Sequence, residues 1–308
     1  MARTAVPPRR RPAAAVAPPH RSLADAFEIY FRDAFYERCP APPRLRQAMR
    51  HAALGPGKRL RPLLVLLACD AVGGDWFRAL PAAVAVECVH AFSLVHDDLP
   101  AMDDDDYRRG RLTTHKKYGE ALGVLAGDAL LAFAFEELAM LEGAGVPAER
   151  VVDAFRRLAH ASGADDLVGG QALDMAAEGR RAGVGQVESI HTRKTGALMG
   201  ACLALGGIAG GAEPRTVAVL DDAGRLLGFA FQIHDDLLNA GSSLRKLGKR
   251  VGTDAARGKA TYPRAAGRVA ALRRERTLVR SVRAILQTHC PRPARLLALL
   301  DAVAVRES

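Results

Sequence analysis

The sequence predicts an all-α protein, and three observations carry that reading. Alanine, leucine and arginine dominate and β-branched residues other than valine are sparse, which favours helix on intrinsic propensity. The apolar runs have helical length, and no apolar–polar alternation lasts more than a few residues. The connections between runs are short and carry glycine or proline. With 308 residues, 49% of them apolar, the chain can bury a large core. The expectation is one helical domain at 22–308, of about ten helices.

Residues 1–21 stand apart. Pro7, Pro8, Arg9, Arg10, Arg11, Pro12, Pro18 and Pro19 crowd a stretch with no acid until Asp25, which reads as a disordered tail. An arginine-rich, acid-poor start also fits a transit peptide, but serine is nearly absent and no amphipathic pattern is seen.

The elements follow in order. A helical pattern runs from Leu23 to Glu37, and a second precedes Gly55-Pro56-Gly57-Lys58-Arg59-Leu60-Arg61-Pro62. The latter is not a P-loop, because Arg59 follows Lys58 and the flanks are helical. It reads as a glycine turn starting a helix, with Lys58 and Arg61 three apart on one face, where two cations suit a diphosphate. Leu63–Cys69 and Pro81–His96 are buried helix segments, and Leu122–Leu141 is a long apolar helix. Val151–Ala161 follows Pro147; Gly169-Gly170-Gln171-Ala172-Leu173-Asp174 opens a polar site; and His191–Gly196 precedes a small-residue helix at Ala197–Ile208. Thr216–Leu238 is helical, a basic segment spans Arg245–Lys259, and helices close the chain.

Composition narrows the partners. No apolar run approaches 18 residues, so no membrane-spanning helix and no membrane insertion are expected. Cys39, Cys69, Cys88, Cys202 and Cys290 lack CxxC spacing and read as reduced, buried thiols of a cytoplasmic protein. The net charge of +10 points to an anionic partner, either nucleic acid or phosphorylated small molecules. Aromatics are only 5%, with no basic–aromatic alternation for stacking bases, which argues against nucleic acid.

The strongest chemical signal is Asp97-Asp98-Leu99-Pro100-Ala101-Met102-Asp103-Asp104-Asp105-Asp106, followed by Tyr107-Arg108-Arg109-Gly110. The run before it is apolar, so these carboxylates leave a helix at its C-terminal end, where partial negative charge already accumulates. Mg²⁺ or Ca²⁺, bound through oxygen, would neutralise them. Val95-His96-Asp97-Asp98-Leu99 recurs 138 residues later as Ile233-His234-Asp235-Asp236-Leu237. In the second copy Gln232, Asp235, Asp236 and Asn239 share one helical face, the pattern of a cavity lining. Two acidic pairs on two helices suggest a cation cluster held between them. Because each copy contains His-Asp, an HD-type metal phosphohydrolase is a rival, though it leaves Asp98, Asp103, Lys58 and Arg61 unused. An EF-hand fails: with Asp103 at position 1, position 6 is Arg108 and position 12 is Thr114.

Taken together, these motifs resemble the trans-prenyltransferases, most nearly the bacterial-type short-chain farnesyl diphosphate synthases. The resemblance runs from about Phe27 past Pro263. It is carried by Gly57–Pro62, His90–Asp106 with Arg108-Arg109-Gly110, Leu125–Leu130, Gly169-Gly170-Gln171, Lys194-Thr195-Gly196, Phe231–Asp236, Leu247–Arg250 and Lys259–Pro263. It implies an all-α bundle around a deep central cavity, usually homodimeric, that condenses isopentenyl diphosphate head-to-tail with dimethylallyl or geranyl diphosphate. It implies Mg²⁺, three ions per site, held by Asp97 and Asp103 on one side and Asp235 on the other, with Asp98 and Asp236 supporting. Lys58, Arg61, His90 and Arg109 fall to isopentenyl diphosphate. Arg108, Lys194, Thr195, Gln232, Lys249 and Lys259 fall to the allylic diphosphate. Phe92, five residues before Asp97, with Ser93 beside it, resembles the stop that limits the product to fifteen carbons; geranylgeranyl diphosphate is the alternative.

The resemblance has one departure. The family's second acidic motif ends in Asp, whereas Asn239 stands here, keeping a carbonyl ligand without charge. Ordinary activity is expected because Asp235 and Asp236 are present; a diverged or irregular coupling is the alternative. Steady-state turnover of Asn239→Asp should therefore not greatly exceed that of the natural chain, and a large gain would mark the natural site as impaired.

Overall fold

The computed structural model describes residues 22–241 and 259–304. The tail and residues 242–258, which include Lys249, lie outside the described residues. Helix α1 (Leu23–Glu37) starts where Ser22 Oγ accepts from the Asp25 amide, and it buries Phe27, Phe31 and Phe35 at a spacing of four. Those rings meet in series, Phe27 stacked on Phe31 and Phe31 edge-on to Phe35, and reach Phe133, 5.2 Å from Phe35. Helices α2 (Pro43–Ala53) and α3 (Leu60–Ala71) follow, and a 3₁₀ turn at Trp76–Ala79 runs into α4 (Leu80–Asp97).

Helix α4 is the centre of the structure. It touches α1, α2, α3, α10 (Ala197–Ala209) and α6 (Glu120–Ala139), and almost every residue from Leu80 to Val89 is buried. By length and composition Trp76–Asp97 could cross a bilayer, contrary to the sequence expectation, which stopped the run at polar residues. Here 78% of its apolar window is buried inside the protein, so neighbouring helices take the place lipid would occupy. Its approach to α6 depends on Gly127, where an added Cβ would lie 2.0 Å from His96 Nε2.

The second half repeats this design. Helices α7 (Ala148–Ser162), α8 (Leu167–Ala177) and α9 (Val184–His191) lead through a π turn, Thr192–Gly196, into the wholly buried α10. The 28-residue α11 (Pro214–Gly241) packs on α10, and α12 (Tyr262–Ala266), α13 (Arg268–His289) and α14 (Ala294–Ala304) close the far side. Fourteen α-helices are present among the described residues, against about ten expected; short pieces such as α5 (Thr114–Tyr118) and α12 escaped periodicity. A two-stranded ribbon was also not foreseen: β1 (Tyr107–Arg108) pairs antiparallel with β2 (Arg111–Leu112) around Arg109 and Gly110. All five cysteines are free and buried, as the sequence suggested.

One buried arginine joins α1, α3 and α4. Arg59, which caps α3 in the left-handed conformation (φ 48°), donates to Glu28 of α1 at 2.7 Å and Glu87 of α4 at 2.8 Å. It also donates to the Ala53 and Gly55 carbonyls, which holds the glycine turn closed. Glu87 thus interrupts an apolar helix to receive a guanidinium. Truncating one member of a buried pair leaves the other uncompensated, so Glu87→Ala should cost about 3–5 kcal/mol in chemical denaturation.

Candidate active site

Asp97 is the last residue of α4, and the chain turns immediately after it. The Met102 and Asp104 amides donate to Leu99 O, and the Asp103 amide donates to Asp97 O at 2.8 Å. The helix ends here, as the sequence led one to expect, and a tight turn folds Asp103 back over Asp97. Asp104 (φ 49°) and Arg109 (φ 52°) adopt the left-handed conformation that side chains other than glycine rarely take. Such conformations concentrate where surrounding contacts hold a site in place. Asp98, only 4% exposed, accepts from Arg108 Nε at 2.7 Å and so holds that arginine beside the turn.

The Asp97 carboxyl is pushed up to about 6, mainly by burial and also by Asp103, against the opposing pull of Lys194, Arg108 and Lys259. Lys259 reaches across to Asp103 at 3.5 Å. Lys194 comes from the π turn and bonds Asp174 of α8 at 2.7 Å. The π turn fits because Gly228 of α11 lies against it, where a Cβ would stand 2.6 Å from Gly196 Cα. Asp174 was visible in the sequence only as a member of the Gly-Gly-Gln stretch; its pairing with Lys194 is tertiary.

Opposite the acids lies a cationic cluster. His90 is driven well below its ordinary value, first by burial and then by Arg61, Arg109, Arg108 and Arg59, so it is neutral. The Arg61 guanidinium is also lowered by burial, and its Nε is buried without a partner among the described residues. Arg109 donates to Pro56 O at 3.0 Å. Lys58 departs from the sequence expectation. Helix α3 begins only at Leu60, so Lys58 lies ahead of it, exposed, and shares no helical face with Arg61. The reason is Arg59, whose buried bonds and left-handed backbone stop the helix from starting earlier.

On α11, Asp235 exerts its charge on Arg61, while Asp236 is 5% exposed. Asp236 accepts the Tyr262 amide at 2.8 Å and stands 3.5 Å from His191. Gln232 donates weakly to Asp236 at 3.4 Å and accepts from Thr195 Oγ1 at 3.0 Å. Asn239, one turn on, is exposed, so the four-residue stripe does not line one wall throughout. The missed members are His191 and Tyr262, which only the fold brings to Asp236.

The two His-Asp copies share one arrangement. In each, the first aspartate acts on nearby cations through its charge, Asp97 among Lys194, Arg108 and Lys259 and Asp235 on Arg61, and the second is buried in a structural bond. Both histidines are engaged elsewhere: His96, although it also lines the cavity beside Asp97, and His234 each bond a neighbouring helix. His96 Nε2 donates to Val124 O at 3.1 Å, and His234 Nδ1 meets Glu275 at 2.8 Å. That arrangement denies the phosphohydrolase reading its His-Asp ligand pair. No three His, Cys, Asp or Glu side chains among the described residues gather into a group able to hold a metal by themselves.

A cavity of about 360 Å³ runs inward from Asp97. Arg61, His90, Gln171, Lys194 and Thr195 line its polar end, and Met102, Leu167, Met175 and Leu198 its apolar walls. Phe92, 5% exposed, and Ser93, which donates to His90 O, also line it. A smaller pocket of about 130 Å³ joins Asp174, His191, Lys194, Gln232, Asp236 and Lys259. The combined space suits a molecule with an anionic head and a hydrocarbon tail.

Residues 42–290 match the family model described as polyprenyl synthetase. The chain belongs to the polyprenyl synthetase family. Enzymes of this family are prenyltransferases that condense isopentenyl diphosphate with allylic diphosphates. The chain is 42% identical over 275 residues to geranylgeranyl pyrophosphate synthase 11, chloroplastic, of Arabidopsis thaliana, covering 87% of this chain and 76% of the relative. It is 43% identical over 229 residues to farnesyl diphosphate synthase of Geobacillus stearothermophilus, covering 74% and 77%. The structure superimposes on the geranyltransferase of Helicobacter pylori complexed with magnesium and isoprenyl diphosphate with a TM-score of 0.78 at 30% identity, covering 91% of this chain and 93% of that one.

The raised Asp97 value has a signed consequence. The folded state holds this proton more tightly than the unfolded chain, so ionisation between pH 3.8 and about 6 costs stability. In chelator-treated protein at neutral pH, Asp97→Asn should therefore be stabilised by about 3 kcal/mol in thermal unfolding. The gain should vanish as the pH falls below 3.8.

Proposed function

We propose that this prenyltransferase elongates dimethylallyl and geranyl diphosphate with isopentenyl diphosphate and releases farnesyl diphosphate. The observation that carries the reading is the cavity itself: opposed carboxylates and cations at one end, apolar walls behind them, and buried Phe92 along its lining.

The allylic C–O bond breaks and the diphosphate leaves with the electron pair. The isopentenyl double bond attacks the allylic cation, and the departed diphosphate accepts the proton then lost. Charge gathers on the leaving group, so groups already in place for that charge lower the barrier. Lys194, Thr195, Gln232, Arg108 and Lys259 serve the allylic diphosphate, together with Lys249, which lies outside the described residues. Arg61, His90, Arg109 and Lys58 bind isopentenyl diphosphate. The unpartnered Arg61 Nε supports an anion there. Neutral His90 donates a hydrogen bond without adding charge.

The donor set fits Mg²⁺. Asp97 and Asp103 come together in the turn, Asp235 acts through its charge on Arg61 of the cavity lining, and all are hard oxygen donors. Mg²⁺ is commonly held by one or two carboxylates, with substrate phosphates completing the shell, which agrees with the lack of a three-ligand group among the described residues. Asp97 and Asp103 would hold the ions on one side and Asp235 on the other, three ions per site. Bound there, Mg²⁺ supplies Lewis-acid neutralisation of the departing diphosphate. Asp98 and Asp236 act by position, holding Arg108 and the Tyr262 segment.

The working unit is a cytoplasmic homodimer in this reading. Val124 and Leu125 of α6, 43% and 52% exposed, offer an apolar outer face for a second copy. Incubation with isopentenyl diphosphate, each allylic diphosphate and Mg²⁺, followed by product chromatography, tests the assignment. Farnesyl diphosphate is expected as the main product; absence of elongation with every allylic partner would overturn the reading. Phe92→Ala should lengthen the main product, because it removes a ring from the cavity wall.

A further inference from the structure

Helix α13 has two unlike faces. Ala271, Leu278, Val282 and Leu286 are buried, and α13 packs on α11. Its acid, Glu275, faces inward to His234. The outer face carries Val269, Arg273, Arg276 and Arg280, at i, i+4, i+7 and i+11, all exposed; Val269 is 73% exposed. This spacing places them in one stripe about 16 Å long. Arg264 and Arg268 precede the stripe and are also exposed. Arg264, Arg273, Arg276 and Arg280 form no ion pair with any described residue, whereas Arg274 and Arg283 are tied to Glu188 and Asp301.

The stripe begins beside the cavity mouth. Arg268 reaches Leu237 O, one residue beyond Asp236, and α13 follows closely on Lys259, which crosses the mouth to Asp103. From this juxtaposition of an acid-free arginine stripe, an exposed valine and the cavity mouth, we infer that the outer face of α13 is an adsorption surface for an anionic lipid bilayer. Guanidinium groups pair well with phosphate, and a flat lipid surface can meet several at once. The helix does not insert, because its apolar face is already used against α11. Nucleic acid fits less well, since the stripe carries no aromatic ring for base stacking. The stripe is read from charge and exposure alone; only its use, passing a hydrocarbon product to the bilayer, rests on the proposed function.

The test is co-sedimentation of the full chain with phosphatidylcholine vesicles, with and without phosphatidylglycerol. Binding is expected only with phosphatidylglycerol, and should be lost near 1 M salt, where the Debye length falls to about 3 Å. Each surface arginine strengthens such adsorption about fivefold, so the triple variant Arg273→Gln, Arg276→Gln, Arg280→Gln should bind about 100-fold more weakly. Its turnover in vesicle-free solution should be unchanged, because none of the three lines the cavity; this separates a failed stripe from a failed enzyme assignment. Equal vesicle binding by variant and natural chain, no binding by either, or tighter binding to an RNA oligonucleotide than to anionic vesicles at equal salt would each overturn the inference.

Discussion

The desolvation of Asp97 governs this structure. The carboxylate stands at the end of a helix that is apolar for most of its length, facing a cavity, with Asp103 folded against it. Left without cations, the pair would repel and lose hydration. The fold answers with Lys194, Arg108 and Lys259, each delivered by a different element. Every one of these cations also has a second carboxylate within reach: Asp174, Asp98 or Asp103. Charge is therefore already balanced locally, and in the proposed reading a substrate diphosphate would exchange partners with these carboxylates instead of creating a new field. Such prearranged groups act on developing charge without reorganising at the moment of reaction.

The repeated His-Asp-Asp shows how one short sequence divides its labour. The helix geometry turns neighbouring residues about 100° apart, so three consecutive polar side chains cannot all face the same cavity. The first aspartate of each pair acts on nearby cations, Asp97 among Lys194, Arg108 and Lys259 and Asp235 on Arg61. The next binds something structural, Arg108 in one copy and the Tyr262 backbone in the other. The histidine faces the neighbouring helix. The same geometry disposes of the hydrolase reading, which needs histidine and aspartate aimed at one metal.

Much was legible beforehand because it is written in local order. Helix α1 begins and ends where its cap and periodicity place it, and most long helices agree within a few residues. The acidic turn, its distant echo and the Gly-Lys-Arg stretch were visible as motifs. What was not legible has a common cause. Arg59 reads as one more cation beside Lys58, yet its bonds to Glu28 and Glu87 remove it from the site and delay the start of α3. Asp174, His191 and Tyr262 sat inside motifs the sequence marked, but their pairing was not legible because their partners lie on other elements. The helix 76–97 passes for a membrane span until its neighbours are present.

The sequence by itself determined the helical class, the positions of the main helices, the acidic and basic motifs, and the kind of substrate they suit. These depend on short-range periodicity, on propensity and on charge, which need no knowledge of the partner across the core. Only the tertiary structure decided that Asp97 lines the cavity while Asp98 holds Arg108, which arginine is structural, and that Asp103 closes over Asp97 through a turn. Those outcomes depend on burial and on bonds between residues far apart in the chain. The cost of leaving a buried charge unpaired, several kilocalories per mole, outweighs any local preference.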